Sequence, residues 1–179
     1  MNFAVTGFGR SGTMFLARAL NTDARWQVEH EPTGGFHPTR EIRERFNAAS
    51  GNYGEVNSWL RYCFTGLHVD QKRVILRDPH QILQSVYNRG RVDLPDIVRS
   101  LHVLDGIIQS GVPAISFARM TTDPTYLRDV GRSLGVTIGH VDLRCKVNCS
   151  SFQNSAPAEM VAKIDEYLGW FTRDYGDLL

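Results

Sequence analysis

Between Gly7 and Thr13 the chain reads Gly-Phe-Gly-Arg-Ser-Gly-Thr. Glycines, hydroxyl side chains and one cation packed this closely suit anion binding. Phe3-Ala4-Val5-Thr6 before them reads as a short buried strand, and Met14 to Leu20 after them as a helix of good formers. In a strand–turn–helix unit the free N–H groups of the first helical turn, and the positive end of the helix dipole, face whatever lies in the turn. The chemistry expected there is capture of a phosphate or a similar anion.

The elements that must position this turn follow from the rest of the chain. Trp26 to His30 alternates apolar and polar residues as a strand, stopped by Glu31-Pro32 and followed by the flexible Thr33-Gly34-Gly35. Thr39 to Phe46 reads as a short polar helix, and Asn52 to Leu60 as a short strand running into a helix. Lys72 to Arg77 has the apolar middle of a strand, and Asp78-Pro79 then caps and starts a helix that ends near Gly90. From Leu94 to Ser110 one apolar stripe runs the length of a helix, closed by Gly111. Pro113 to Phe117 reads as a strand, Asp123-Pro124 as the start of a helix to about Leu134, residues 136–155 as irregular, and Pro157 as the opening of a last amphipathic helix. Strands alternating with helices predict a three-layer α/β fold over 1–179, P-loop-like, with a mostly parallel sheet and helices on both faces. In such sheets ligands bind beyond the carboxyl ends of the strands. The glycine turn, Glu29 to Glu31, Arg77 and Phe117 to Met120 all fall there.

Composition narrows the function. A chain of 179 residues with 42% hydrophobic content supports one domain with a real core. A net charge of +1 is no footprint for bulk nucleic acid. No apolar run is long enough to span a bilayer, and Met1 leads straight into the first strand, so neither a membrane segment nor a signal peptide is expected. Cys63, Cys145 and Cys149 are too few and too uneven for a disulfide framework. A cytoplasmic protein without a metal site is the expectation.

Three clients compete for the turn. A nucleotide-kinase P-loop, G-x-x-x-x-G-K-[ST], requires a lysine that is absent here, since Gly12 is followed at once by Thr13. A dinucleotide site matches Gly7-x-Gly9-x-x-Gly12 formally, with Glu29 or Glu31 near the place of the ribose-binding acid. That reading leaves the Arg77 segment without a role. The third accounts for more of the chain: Gly9-Arg10-Ser11-Gly12-Thr13 closely resembles the 5′-phosphosulfate loop of sulfotransferases that use 3′-phosphoadenosine-5′-phosphosulfate (PAPS). The stretch from Val74 through Arg77-Asp78-Pro79 to Ser85 is similar to that family's second phosphate motif. Glu31-Pro32 resembles the Glu-Pro of carbohydrate-type members, and Ile115 to Val136 and Lys146-Val147-Asn148 look like the later segments.

The resemblance implies PAPS as sulfate donor, with no metal. Arg10 would stabilise the leaving group, while Gly9, Ser11, Gly12 and Thr13 hold the 5′-phosphate. Arg77, Ser85 and Lys146 would hold the 3′-phosphate. It implies in-line transfer to an acceptor hydroxyl or amine on a small molecule or glycan, with Glu31 as general base and His30 as the other candidate. Strand alternation sends His30 and Glu31 to opposite sides unless the chain turns at Pro32. Residues 33–70 and 86–112 are expected to shape the acceptor pocket. A nucleotide-binding module that has lost catalysis is the non-enzymatic alternative.

Overall fold

A computed structural model describes residues 1–32, 39–90, 92–143 and 154–179. Five strands form one all-parallel sheet: β1 (Asn2–Gly7), β2 (Trp26–His30), β3 (Asn52–Val56), β4 (Gln71–Leu76) and β5 (Ala114–Ser116), in the order β2-β3-β1-β4-β5. The period of two along these strands divides their side chains between two cores. Phe3 and Val5 join Ile75 and Ile115 on one face, while Ala4 joins Val74 and Leu76 on the other. Parallel strands buried on both faces read as continuous apolar runs, which is why Phe3 to Val5 and Val74 to Leu76 lack polar alternation.

Helices cover both faces. On the first lie α1 (Thr13–Leu20), α5 (Phe117–Thr122) and α6 (Pro124–Ser133). On the second lie α2 (Thr39–Ala48), α3 (Pro79–Tyr87), α4 (Leu94–Gln109) and α7 (Ala158–Tyr175). The Asp-Pro starts hold: Asp78 accepts from the Gln81 N–H at 3.0 Å, and Asp123 from those of Thr125 and Tyr126 at 2.8 and 3.1 Å. Asn52 to Leu60 divides into β3 and a 3₁₀ turn over Ser58–Tyr62. One reading needs correction. The strand expected through Phe117 stops at Ser116, whose hydroxyl accepts from the Arg119 N–H at 3.2 Å and caps α5. An apolar run carries no mark of where its backbone changes state, so that short helix was not visible in the sequence.

The strand order creates the site. From β1 the chain moves to one side, through β2 and β3, and then crosses to β4 and β5 on the other. Consequently α1 leaves β1 on one face of the sheet and α3 leaves β4 on the opposite face. A crevice opens between two such strand ends. Gly7 pairs with Ile75, Leu76 with Ser116, and Val56 with both Val5 and His30. The segments after all five strands therefore emerge along one edge.

Candidate active site

The turn after β1 is a tight, partly strained cradle. The Ser11 N–H donates to the Phe8 carbonyl at 2.9 Å, and Gly12 adopts φ +86° where α1 begins. A side chain at Gly12 would also strike the Phe117 ring, 2.7 Å from an added Cβ. The Ser11 hydroxyl is tucked under Gly7, where an added Cβ would lie only 2.4 Å from it. It is buried and has no hydrogen-bond partner among the described residues. A buried hydroxyl without a partner is costly.

Arg10 has φ +82°. Left-handed backbone costs a non-glycine residue about 1–2 kcal/mol, and such outliers concentrate at functional sites. Its side chain crosses to the second motif, where Nε donates to Ser85 Oγ at 3.1 Å. Arg77 comes the other way and donates through a terminal nitrogen to the Arg10 carbonyl. The Arg77 guanidinium also stacks on Phe117, 4.3 Å from the ring centroid, and donates from Nε to Gln81 at 3.3 Å. Arg10, Arg77 and Ser85, from two motifs remote in sequence, thus meet at the β1/β4 edge. Lys146 lies outside the described residues.

The two base candidates are separated by the end of β2. His30 Nε2 lies 3.0 Å from Thr13 Oγ1, so the imidazole serves the glycine turn. Glu31, with φ +44°, carries its carboxylate to the opposite side from His30, as the strand's alternation sends it. It accepts from the Ser58 hydroxyl at 2.6 Å and the Ser58 N–H at 3.4 Å. Ser58 was not among the residues singled out from the sequence. The available signal was its place directly after a strand end, behind an Asn suited to capping.

Burial lowers the His30 pKa below its ordinary 6.5; Glu31 opposes that shift and Arg18 adds to it. The native imidazole resists protonation more than the unfolded one does, so unfolding takes up a proton in mild acid. This contribution to stability is complete above about pH 6.5 and is lost as the pH falls from there toward the folded-state value. Urea unfolding at pH 7.5 and 5.5 should show wild type losing stability in acid and His30→Gln losing less. Equal losses would remove His30 as the source.

Ser58 is held from several directions. Asn57 caps the 3₁₀ turn by accepting from the Trp59 N–H at 2.8 Å, and donates to the fully buried Glu55 at 2.8 Å. Glu55 is neutralised by Arg45 at 3.0 Å. Burial, with Glu55 and Glu29 nearby, drives the adjoining Tyr53 phenol well above its usual range. The Ser58 carbonyl accepts from Arg61, and the Thr6 hydroxyl donates to the neighbouring Asn57 carbonyl at 3.0 Å. Arg61 is itself buried, bonded to Ser100 at 3.2 Å and stacked on Tyr62 at 4.4 Å.

Beside these groups opens a cleft of about 280 Å³. Gly9 and Arg10 form one wall, Ser58, Trp59 and Arg61 another, and Asp93 belongs to the far side at the start of α4. The cleft draws on both of the variable stretches expected to shape a pocket. Among the described residues, no helix is long and apolar enough to cross a membrane, and no group of three or more His, Cys, Asp or Glu side chains is placed to hold a metal ion.

No protein-family model matches the chain, and no curated protein does. Among solved structures it resembles the crystal structure of a sulfotransferase from Alicyclobacillus acidocaldarius, with a TM-score of 0.58 at 14% sequence identity. The superposition covers 99% of this chain and 93% of that one. The likeness is one of fold: an α/β architecture built on a five-stranded, all-parallel sheet flanked by helices.

Proposed function

We propose that the protein is a PAPS-dependent sulfotransferase. The observation that carries this reading is the meeting of Arg10, from the turn that leads into α1, with Ser85 of the second motif at 3.1 Å. A ligand with one anion at the helix start and a second beside Arg77 and Ser85 suits this arrangement, and PAPS carries such a pair. When bound, it supplies an activated sulfuryl group and a bisphosphate leaving group.

The chain's own groups divide the work. The α1 N-terminus, Ser11 and Thr13 hold the 5′-phosphate, with His30 fixing the Thr13 hydroxyl. Arg77 and Ser85 take the 3′-phosphate, joined by Lys146. Arg10 lines the cleft and offers positive charge where negative charge grows on the bridging oxygen of the leaving group. An acceptor hydroxyl or amine, on a small molecule or glycan, enters the cleft and gives up a proton for which Glu31 is the terminal carboxylate. The chemistry is positioning and electrostatics, with no covalent step on the protein. A cytoplasmic location accompanies this reading.

The rival clients fare less well. The turn has no P-loop lysine. In the dinucleotide fold strand 2 lies directly beside strand 1, whereas here β3 stands between them. Thermal unfolding with adenosine 3′,5′-bisphosphate, 5′-AMP, ATP and NAD separates the three. At about 100 times its Kd the preferred ligand contributes about 2.7 kcal/mol, a rise of roughly 5–10 °C for a chain of this size. The largest shift is expected with the bisphosphate. A larger one with NAD or ATP, or none with the bisphosphate, rejects the assignment.

A further inference from the structure

Resting on the sulfotransferase reading, we propose that the acceptor's proton is taken by Ser58 and not by Glu31 directly, with Ser58 passing its own proton to Glu31. Ser58 lines the cleft beside Arg10, and of the residues that do so it is the one bonded to Glu31. Its hydroxyl also faces the glycine turn, since a Cβ built on Gly9 would lie 3.9 Å from Ser58 Oγ. The hydroxyl therefore stands between the turn and the carboxylate. At 2.6 Å the bond from Oγ to Glu31 Oε1 is short, as expected of a hydroxyl donating to a carboxylate.

The geometry is fixed before any substrate arrives. Arg61 holds the Ser58 carbonyl, Thr6 holds the Asn57 carbonyl, Asn57 caps the turn that starts there, and the Ser58 N–H and hydroxyl both donate to the Glu31 carboxylate. A side chain only 4% exposed and pinned on both backbone and hydroxyl is suited to a single proton path.

The step balances in one motion. The acceptor oxygen (or nitrogen) forms its bond to sulfur as the bond from sulfur to the bridging phosphate oxygen breaks. The acceptor's proton moves to Ser58 Oγ, and the proton previously on Ser58 moves to Glu31 Oε1. The electron pair of the broken bond leaves on the 5′-phosphate, beside Arg10. Serine ends as it began, so no alkoxide accumulates and nothing is oxidised or reduced.

The test follows release of adenosine 3′,5′-bisphosphate from PAPS with a phenol, a simple glycoside and an amino sugar as acceptors. Ser58→Ala and Glu31→Gln should each lower kcat by about 10²- to 10⁴-fold, the usual worth of a positioned base. Bisphosphate affinity and the thermal midpoint should stay near wild type. The double variant should be no more than about threefold slower than the slower single variant, because the two groups act as one unit. Ser58→Thr, which keeps the hydroxyl, should recover most of the loss. The relay is overturned if Ser58→Ala retains the wild-type kcat, if the two losses multiply, or if mass spectrometry finds sulfate on Ser58, which would make it a nucleophile. Those outcomes leave the donor assignment standing. Wild type that releases no bisphosphate with any acceptor overturns the relay, and one that also gains no thermal stability from adenosine 3′,5′-bisphosphate overturns the donor assignment with it.

Discussion

Replacing Arg10 with methionine is expected to lower sulfuryl transfer by about 10²- to 10³-fold, the typical loss when one preorganised donor to a developing oxyanion is removed. Affinity for adenosine 3′,5′-bisphosphate should change by less than about tenfold, because the α1 N-terminus, Thr13, Arg77 and Ser85 remain. Initial rates of bisphosphate release, with isothermal titration for affinity, give both quantities. The backbone supplies a control. Arg10 sits at φ +82°, a conformation glycine adopts without cost, so Arg10→Gly removes the cation and relieves the strain together. That variant should fold at least as stably as wild type yet be as slow as the methionine variant. If both keep the wild-type rate, Arg10 only shapes the turn; if no variant and no wild type turns over, the chain is a binding module.

Replacing Arg77 with methionine should remove the preference for a 3′-phosphate. Charge-assisted hydrogen bonds are worth about 1.5–3 kcal/mol, so bisphosphate affinity should fall about 10- to 100-fold while that of 5′-AMP stays nearly constant. Methionine keeps an apolar side chain against Phe117, on which the guanidinium stacks at 4.3 Å. Arg77 also donates to the Arg10 carbonyl, so a second effect on the glycine turn is built in. It is recognised by what it weakens: a turn displaced by loss of that bond weakens both nucleotides equally, whereas loss of a phosphate ligand weakens only the bisphosphate. Equal losses would make Arg77 a support for the turn and no more.

What the sequence determined by itself was local. The glycine turn, the helix after it, the Asp78-Pro79 and Asp123-Pro124 helix starts and the long stripe of α4 are written in neighbouring residues. Caps, prolines and apolar periods act over one or two turns of chain, so they survive without knowledge of the fold. The alternation of strands and helices also predicted the layered parallel sheet, because parallel neighbours need crossovers.

Tertiary structure decided everything that depends on which distant segments become neighbours. Only the strand order brings Ser85 onto Arg10, across 75 residues, by placing the ends of β1 and β4 side by side. Alternation along β2 parts His30 from Glu31, but only the fold supplies Thr13 on one side and Ser58 on the other as their partners. Ser58 is chemically an ordinary serine until β3, lying between β2 and β1, sets it beside both the carboxylate and the turn. A hydroxyl's role comes from its partners, and partners 27 residues away are fixed by sheet pairing and burial, for which a single stretch of sequence holds no code.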